Sequence, residues 1–446
     1  MPASPSDSHP SAAATQRRIL ALAWPVMLSN ITVPLLGLVD SAILGHLDNA
    51  SHLGAVAIGA QLFTLLCWSF GFLRMGTTAA CARSLSERGV QDALQHGMWL
   101  ALALMPPLLL MAWLLLPPLL PWMGASALVE SGAREYLQIR ALAIPAVLLQ
   151  YVFTGWFIGR GDTRVPLVVM VLTNLVNASL DAVLVFGVGM TADGVALGSV
   201  LADYTGLLAA YGFARRAGLP GVRQWLAQWP GLATLQPLIR INRQLFVRTL
   251  VLLLVLTLFQ AGGARQDDLV LAANSLLLSL LMLIANALDG FAHAAESLAG
   301  QALARQQSYQ VRQLVRLTGL DSLLLAMVLT LLCALGGDWL WPLLTDNPQL
   351  LPVLDQYSLF LAGLPLIGFG SYWLDGVAIA AGATTTMRNA MLLSALVFLG
   401  IWQLLGFMGN AGLWLALYGF LLCRALAALP FLRRLYLDPL GFAPKS

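Results

Sequence analysis

Two aspartates lie in stretches of sequence that are otherwise free of charge, which makes them candidates for chemistry. Asp40 is the only formally charged side chain between Arg18 and Asp48, and Asp181 is the only one in residues 165–192. A carboxylate at bilayer depth is costly unless it finds a partner, a proton or a cation. We therefore expect Asp40 and Asp181 to bind and release a coupling cation.

Amide and hydroxyl side chains accompany Asp181. Asn174 and Asn177 precede it at spacings that place all three on one face of a helix, and Ser199 could add a hydroxyl ligand. Such oxygen atoms suit a proton or a hard cation such as Na⁺. The structural alternative is a hydrogen-bonded polar stripe that holds helices together. Asp203 is a further candidate, although an arginine near the cytoplasmic end could pair with it instead.

Other charges inside apolar segments are interpreted first as structural. Arg74 interrupts the second apolar segment and needs an acidic partner at that depth. We expect a salt bridge to Asp289 or Glu296, which would connect the two halves of the chain. A transport role for these acids, and for the isolated Asp375, is the alternative.

Pro34 lies six residues before Asp40 in the middle of an apolar segment. A proline inside a helix removes a backbone hydrogen bond and bends the helix. Pro34 is therefore a candidate hinge whose bend could follow protonation of Asp40, or else a static kink.

The composition is that of an integral membrane protein. Of the 446 residues, 59% are hydrophobic and 10% are charged. In soluble domains roughly a quarter of the residues are charged. The net charge is +3, and the sequence contains no basic run typical of nucleic-acid binding. No nucleotide-binding loop, catalytic constellation or metal-ligand spacing is present, so we expect neither an enzyme nor a cofactor.

Twelve apolar segments are long enough to cross about 30 Å of hydrocarbon. These predicted helices lie near residues 19–44, 53–80, 93–117, 136–159, 165–189, 194–214, 244–264, 269–297, 313–336, 352–380, 388–408 and 411–432. Basic residues fall mainly on one side when the segments alternate, so both termini are predicted to be cytoplasmic.

The two halves of the sequence contain similar segments at matching positions. Gly155–Gly161 matches Gly376–Gly382, and Ala192–Leu197 matches Asn410–Leu415. The predicted fold is an all-α integral membrane protein with two six-helix lobes, related by pseudo-twofold symmetry along the membrane normal.

The predicted organisation follows from this duplication. It comprises a disordered cytoplasmic tail at 1–18, an N-lobe at 19–215, a cytoplasmic linker at 216–240 and a C-lobe at 241–446.

Several stretches resemble the MATE (multidrug and toxic compound extrusion) family. Trp24–Asn30 followed by Val39–His46 is similar to the first helix of these transporters, and Gly155–Arg164 is similar to their glycine-rich fourth helix. The DinF branch is suggested by Phe72–Thr78, Leu288–Leu303 and Leu374–Asn389. Together these stretches cover both halves of the chain.

The resemblance implies two lobes around a central cleft and antiport of organic substrates against H⁺ or Na⁺. It also implies a cation site in the N-lobe. The family's first-helix aspartate matches Asp40, its fifth-helix pair matches Asn177 and Asp181, its sixth-helix hydroxyl matches Ser199, and a fourth-helix polar position matches Thr154.

One departure from the family favours H⁺ over Na⁺. The NorM branch carries a glutamate in the seventh helix, and this chain has Val255 at the corresponding place. We therefore expect a monomeric antiporter of a bacterial inner membrane that exports amphipathic, cationic organic compounds in exchange for H⁺. Alternatives are a flippase for lipid-linked precursors, which would need a more cationic cleft, or a channel, which fits the duplication poorly.

Overall fold

The computed structural model describes residues 11–45, 50–123, 126–219, 221, 230–336, 341 and 348–444. Side chains within these ranges are described except at 31, 33–45, 50–53, 122–123, 232 and 268. All regular secondary structure in this part of the chain is helical.

Fourteen α-helices account for most of the described residues. The first half contains α1 (Ala12–Gly45), α2 (Ala50–Trp68), α3 (Phe72–Ala82), α4 (Glu87–Leu110), α5 (Ala127–Ala141), α6 (Ile144–Gly159), α7 (Arg164–Ala182) and α8 (Ala192–Arg216). The second half contains α9 (Leu232–Ala264), α10 (Asp268–Ala304), α11 (Ser308–Leu335), α12 (Leu351–Ala380), α13 (Thr384–Leu404) and α14 (Asn410–Leu437).

Most of these helices are long and apolar enough to cross a membrane. Ten candidate spans are found among the described residues, and an eleventh results if the bent pair α5 and α6 counts as one. The first predicted span lies in α1, where many side chains are outside the description. The helices agree with the all-α membrane fold class predicted from the sequence.

The fourth predicted span, near residues 136–159, is not one continuous helix. It consists of α5 and α6, which meet at an angle of 52°. Pro145 lies in the first turn of α6. A proline has no N–H to donate to the preceding helix, and it restricts the backbone angles of the residue before it. The chain therefore turns at Leu142 and Ala143.

The third predicted span, near residues 93–117, continues beyond its predicted end. Pro106 and Pro107 lie inside α4, and the chain then continues through a π-helical turn at Met111–Leu115 and a 3₁₀ segment at Pro117–Met123. A π-helical turn after prolines is one way in which a helix accommodates the backbone hydrogen bonds that the prolines remove.

The contacts divide the chain into two compact units. The N-terminal unit contains residues Leu28–Phe246, and the C-terminal unit contains Met1–Met27 together with Val247–Ser446. Most of the residues thus follow the two halves of the sequence, although the start of α1 belongs to the C-terminal unit. The exact lobe and linker boundaries stay a prediction.

Each unit contains a buried tryptophan whose indole N–H is hydrogen-bonded. In the N-terminal unit, the buried Trp156 donates its indole N–H to the carbonyl of Val90 at 3.0 Å. In the C-terminal unit, Asn274 and Asn410 exchange amide hydrogen bonds of 2.7 and 3.0 Å, and Trp414 donates to Asn274 at 3.0 Å. A buried polar group that is fully hydrogen-bonded in this way specifies how its helices pack.

The matching glycines of the two halves have matching structural roles. Gly161 (φ 81°) and Gly382 (φ 68°) follow α6 and α12, respectively, in the left-handed conformation that ends a helix. Gly155 packs against the backbone of α3, and Gly376 packs against the backbone of α10, at separations that leave no room for a Cβ. The sequence duplication is therefore also a duplication of backbone geometry.

Candidate functional site

The polar stripe predicted on α7 is buried where it reaches Asp181. Asp162, just before the helix, accepts hydrogen bonds from the N–H groups of Arg164 and Val165 at 3.1 and 3.3 Å and so starts α7. Between three and five turns further along, Asn177 is 1% exposed and Asp181 is 0% exposed. A carboxyl group in this position is removed from bulk water, so its charge state depends on its neighbours.

The neighbouring helix α8 contributes to the site through a hydroxyl and a glycine. The amide of Asn177 donates to Oγ of Ser199 at 3.0 Å. A Cβ at Gly198 would collide with Oδ1 of Asp181, so only glycine lets α8 approach the carboxylate this closely. Oδ1 of Asn177 accepts no hydrogen bond within the described residues, and this leaves a buried oxygen beside the aspartate.

The other end of the stripe contacts α1. Asn174 donates to the hydroxyl and the carbonyl oxygen of Thr32 at 3.2 and 3.4 Å. Asp40 and Pro34 also belong to α1, but their side chains lie outside the described residues. The coupling role of Asp40 and the hinge role of Pro34 therefore stay predictions.

Thr154 is a more distant candidate. It is half-buried on α6, and no hydrogen bond in the described part of the chain joins it to Asn177 or Ser199. Its assignment rests on the family resemblance and stays a prediction.

Asp203 is held by an arginine on α5. Nη1 of Arg140 lies 2.7 Å from Oδ2 of Asp203, and the guanidinium also lies 4.2 Å from the ring centroid of Phe63. Gln150 donates to the carbonyl oxygen of Asp203 at 2.7 Å. The pair connects α5 to α8, which favours the structural alternative that the sequence left open for Asp203.

Asp375 has two partners that sequence reasoning missed. Oδ2 of Asp375 accepts hydrogen bonds from both Arg248 on α9 and Arg424 on α14. The residues Arg248 and Arg424 are 7% and 3% exposed, and Arg424 also lies 5.3 Å from the ring centroid of Tyr372. Each arginine is an isolated charge in an apolar helix, as Asp375 is. The sequence could therefore have predicted that these charges pair with one another.

The predicted salt bridge of Arg74 stays a prediction. Arg74 belongs to the N-terminal unit, whereas Asp289 and Glu296 belong to the C-terminal unit. Glu296 is 2% exposed, and Nδ1 of His293 lies 2.6 Å from the carbonyl oxygen of Asp289. Within the described residues, no group of three or more His, Cys, Asp or Glu side chains could hold a metal ion.

Long apolar helices in two matching halves, with carboxyl groups buried among the helices of each half, are typical of an integral membrane carrier. The MatE family model matches residues 25–183 and 246–401. The chain belongs to this family, and its recognition as a MATE protein from sequence motifs is confirmed.

The similar proteins agree with this assignment. DNA damage-inducible protein F of Escherichia coli (strain K12) is 36% identical over 433 residues, which cover 95% of this chain and 93% of that protein. The probable multidrug resistance protein NorM of Thermotoga maritima is 29% identical over 199 residues, 43% of this chain and 42% of that protein. These relatives and the apolar helices identify a multi-pass inner-membrane protein of the DinF branch.

A solved structure shares the fold. The crystal structure of a mutant of the Vibrio cholerae MATE transporter VcmN has a TM-score of 0.87 at 20% identity, and the match covers 97% of this chain and 99% of that one. At this identity the likeness concerns the fold alone. It confirms the twelve-helix fold class predicted from the sequence.

Proposed function

We propose that this protein is a monomeric antiporter that exports amphipathic, cationic organic compounds in exchange for H⁺. The observation that carries the proposal is the fully buried carboxyl group of Asp181 beside Asn177, Ser199 and Gly198. Burial disfavours the charged form of a carboxyl group, so taking up a proton or a cation changes the free energy of such a group strongly. Two ligands that satisfy the same carboxylate compete, and competition is the basis of antiport.

The contact between α7 and α1 supports the participation of Asp40. Asp181 follows Asn174 by seven residues, and Asp40 follows Thr32 by eight, so both acids lie about 10–12 Å further along their helices. The first and fifth spans cross the membrane in the same direction when spans alternate. Asn174 donates a hydrogen bond to Thr32, so the two helices are in contact at these residues. Because each acid lies a similar distance from this contact in the same direction, a common site for both acids is favoured.

The C-terminal unit gives a reason to expect coupling in the N-terminal unit. Val255, 1% exposed, offers no oxygen at the seventh-helix position, and Asp375 is already bound by two guanidinium groups. A proton also needs fewer oxygen ligands than Na⁺, which prefers a complete oxygen cage. We therefore favour H⁺ over Na⁺ and expect Asp40 and Asp181 to carry the exchange.

The proposed cycle is an exchange of ligands at these acids. A cationic substrate is attracted by the ionised carboxylates from the cytoplasmic side. A proton that arrives from the periplasmic side removes the charge, which weakens the attraction and releases the substrate outward. Each ligand favours the conformation in which it binds better, so the two fluxes are coupled.

The flippase alternative is not favoured by the buried charges. A lipid pyrophosphate would need uncompensated cations in the cleft. The arginines Arg140, Arg248 and Arg424 are each ion-paired with an aspartate instead. The NorM relative is also described as a multidrug resistance protein, which agrees with export of organic compounds.

The test is transport by the purified protein in proteoliposomes. An imposed pH gradient should drive accumulation of an amphipathic fluorescent cation, and Asp40→Asn and Asp181→Asn should each reduce that rate at least about tenfold. Glu130→Gln serves as the matched control, because this acid lies in the same unit and pairs with Arg134 four residues later. The control should retain the wild-type rate.

Two outcomes would count against the proposal. Gradient-driven transport by Asp40→Asn at the wild-type rate would exclude the coupling role of that acid. Transport driven by a Na⁺ gradient alone, with no response to pH, would replace H⁺ by Na⁺ as the coupling ion.

A further inference from the structure

An open cavity in the C-terminal unit is lined by none of the residues of the proposed transport site. It lies where the first turns of α1 meet the end of α10 and the start of α11. Its lining residues are Thr15, Arg18, Leu298, Gln301, Ala302, Arg305, Gln307, Gln310, Gln313 and Leu314. The lining therefore contains two arginines, four glutamines and a threonine, but no acidic side chain.

The turn between α10 and α11 fixes part of this lining. Gln306 has a positive φ of 56°, and the N–H groups of Gln306 and Gln307 donate to the carbonyls of Leu303 and Ala302 at 3.0 and 2.9 Å. This pair of hydrogen bonds is the Schellman arrangement that ends a helix. It places Arg305 at the end of one helix and Gln307 directly before the next.

The start of α11 adds a favourable field for an anion. Gln307 precedes this 28-residue helix and makes no capping hydrogen bond with its side chain. The first N–H groups of a helix lack partners within the helix, and the helix dipole favours a negative charge at that end. The two arginines add full positive charges on the same cavity.

Thr15 supplies the observation that points to a ligand. The residue is only 6% exposed and lines the cavity, yet its hydroxyl makes no hydrogen bond to the described residues. The hydroxyl of a residue this deeply buried normally has a hydrogen-bond partner, and here it opens on the cavity. A ligand oxygen in the cavity would satisfy it.

We propose that this cavity binds the phosphate group of an anionic ligand, through Arg18, Arg305 and the hydroxyl of Thr15. Guanidinium groups recognise phosphate with paired, charge-assisted hydrogen bonds, and amide side chains can donate further ones. The group could belong to the headgroup of an anionic membrane lipid or to free inorganic phosphate. Both sources share this chemistry, and the experiment separates them.

The experiment measures the thermal unfolding midpoint of the full chain in detergent micelles. The protein is titrated with phosphatidylglycerol, with inorganic phosphate, and with chloride at the same ionic strength. We expect a saturable rise of the midpoint that chloride does not reproduce. A rise with phosphatidylglycerol alone identifies a lipid site, and a rise that inorganic phosphate also produces shows that the phosphate group is sufficient.

Variants test whether the cavity is responsible. Arg18→Gln combined with Arg305→Gln should weaken the apparent affinity at least about tenfold, since each arginine near a membrane surface contributes about fivefold. Thr15→Val should also weaken it. The matched control is Arg17→Gln combined with Arg316→Gln, which removes two exposed arginines that do not line the cavity.

The proposal is overturned by any of three results. These are no rise above that in chloride, an unchanged affinity in the cavity variants, or an equal loss of affinity in the control. If the double cavity variant does not fold, the single variants Arg18→Gln and Arg305→Gln replace it under the same criteria.

Discussion

Asp375 and Asp181 are both aspartates within apolar helices, but their neighbours give them different chemistry. The carboxylate of Asp375 accepts hydrogen bonds from Arg248 and Arg424, so its negative charge is compensated inside the protein. Asp181 instead lies beside the backbone of Gly198, one turn from the amide of Asn177. The first environment stabilises a permanent ion, and we propose that the carboxyl group in the second exchanges a proton for another ligand.

Asp375→Asn should strongly destabilise the protein. The substitution leaves Arg248 and Arg424 buried without their counter-charge, and breaking a buried ion pair from one side costs about 3–5 kcal/mol. Arg248→Gln should cost less, because Arg424 continues to compensate the aspartate. Thermal unfolding of the purified variants in detergent would show the larger drop in midpoint for Asp375→Asn.

Glu87→Gln is the control for this comparison. The side chain of Glu87 is 79% exposed and lies 3.4 Å from Arg160, and exposed pairs of this kind contribute about 0–1 kcal/mol. Its midpoint should stay close to that of the wild type. If the unfolding midpoint of Asp375→Asn matched that of this control, the charges of the buried arginines would have to be compensated by groups other than Asp375.

At the scale of helices, close approach at glycines determines where the polar groups meet. Gly198 lets α8 lie against the carboxylate of Asp181, and Gly155 lets α6 lie against the backbone of α3. Small residues have this role in membrane helices because packing, rather than the exclusion of water, holds the helices together.

Gly198→Ala should impair coupling through this contact. The added methyl group would collide with Oδ1 of Asp181, and excess volume in a packed interior costs about 1–3 kcal/mol. Gly212→Ala on the same helix is the matched control, since a Cβ there meets no atom within 4 Å. Proton-driven transport should fall in the first variant and stay near wild type in the second; equal transport rates would refute the role of the contact.

Hydropathy and spacing predicted the helices better than the contacts of their charged residues. Twelve apolar segments and the duplication were enough for the fold class, and the spacing of Asn174, Asn177 and Asp181 predicted their common face. The bend between α5 and α6 was missed because hydropathy does not report direction, although Pro145 marks the place. Arg248 and Arg424 are 127 and 49 residues from Asp375, and only the tertiary fold shows that all three meet.

For the whole molecule, the bent pair α5 and α6 decides how many times the first half crosses the membrane. If the pair crosses the membrane once, the first half has six crossings, and the second half starts on the same side as the first. If the pair were re-entrant, the first half would have five crossings and the second half would be inverted. Parallel halves therefore depend on a single crossing by two helices that meet at 52°.

Reporter fusions should show that the pair crosses once. Arg215 and Arg216 end α8, and Arg433 and Arg434 lie near the end of α14, so the positive-inside rule predicts that the linker and the C-terminus are both cytoplasmic. Green fluorescent protein inserted after Gly221 or fused after Ala443 should fluoresce, and alkaline phosphatase at these places should be inactive. Alkaline phosphatase in the short loop between α13 and α14 is the control and should be active. An active phosphatase at Gly221 would mean an odd number of crossings in the first half, and Asp40 and Asp181 would then belong to a half inverted with respect to the second.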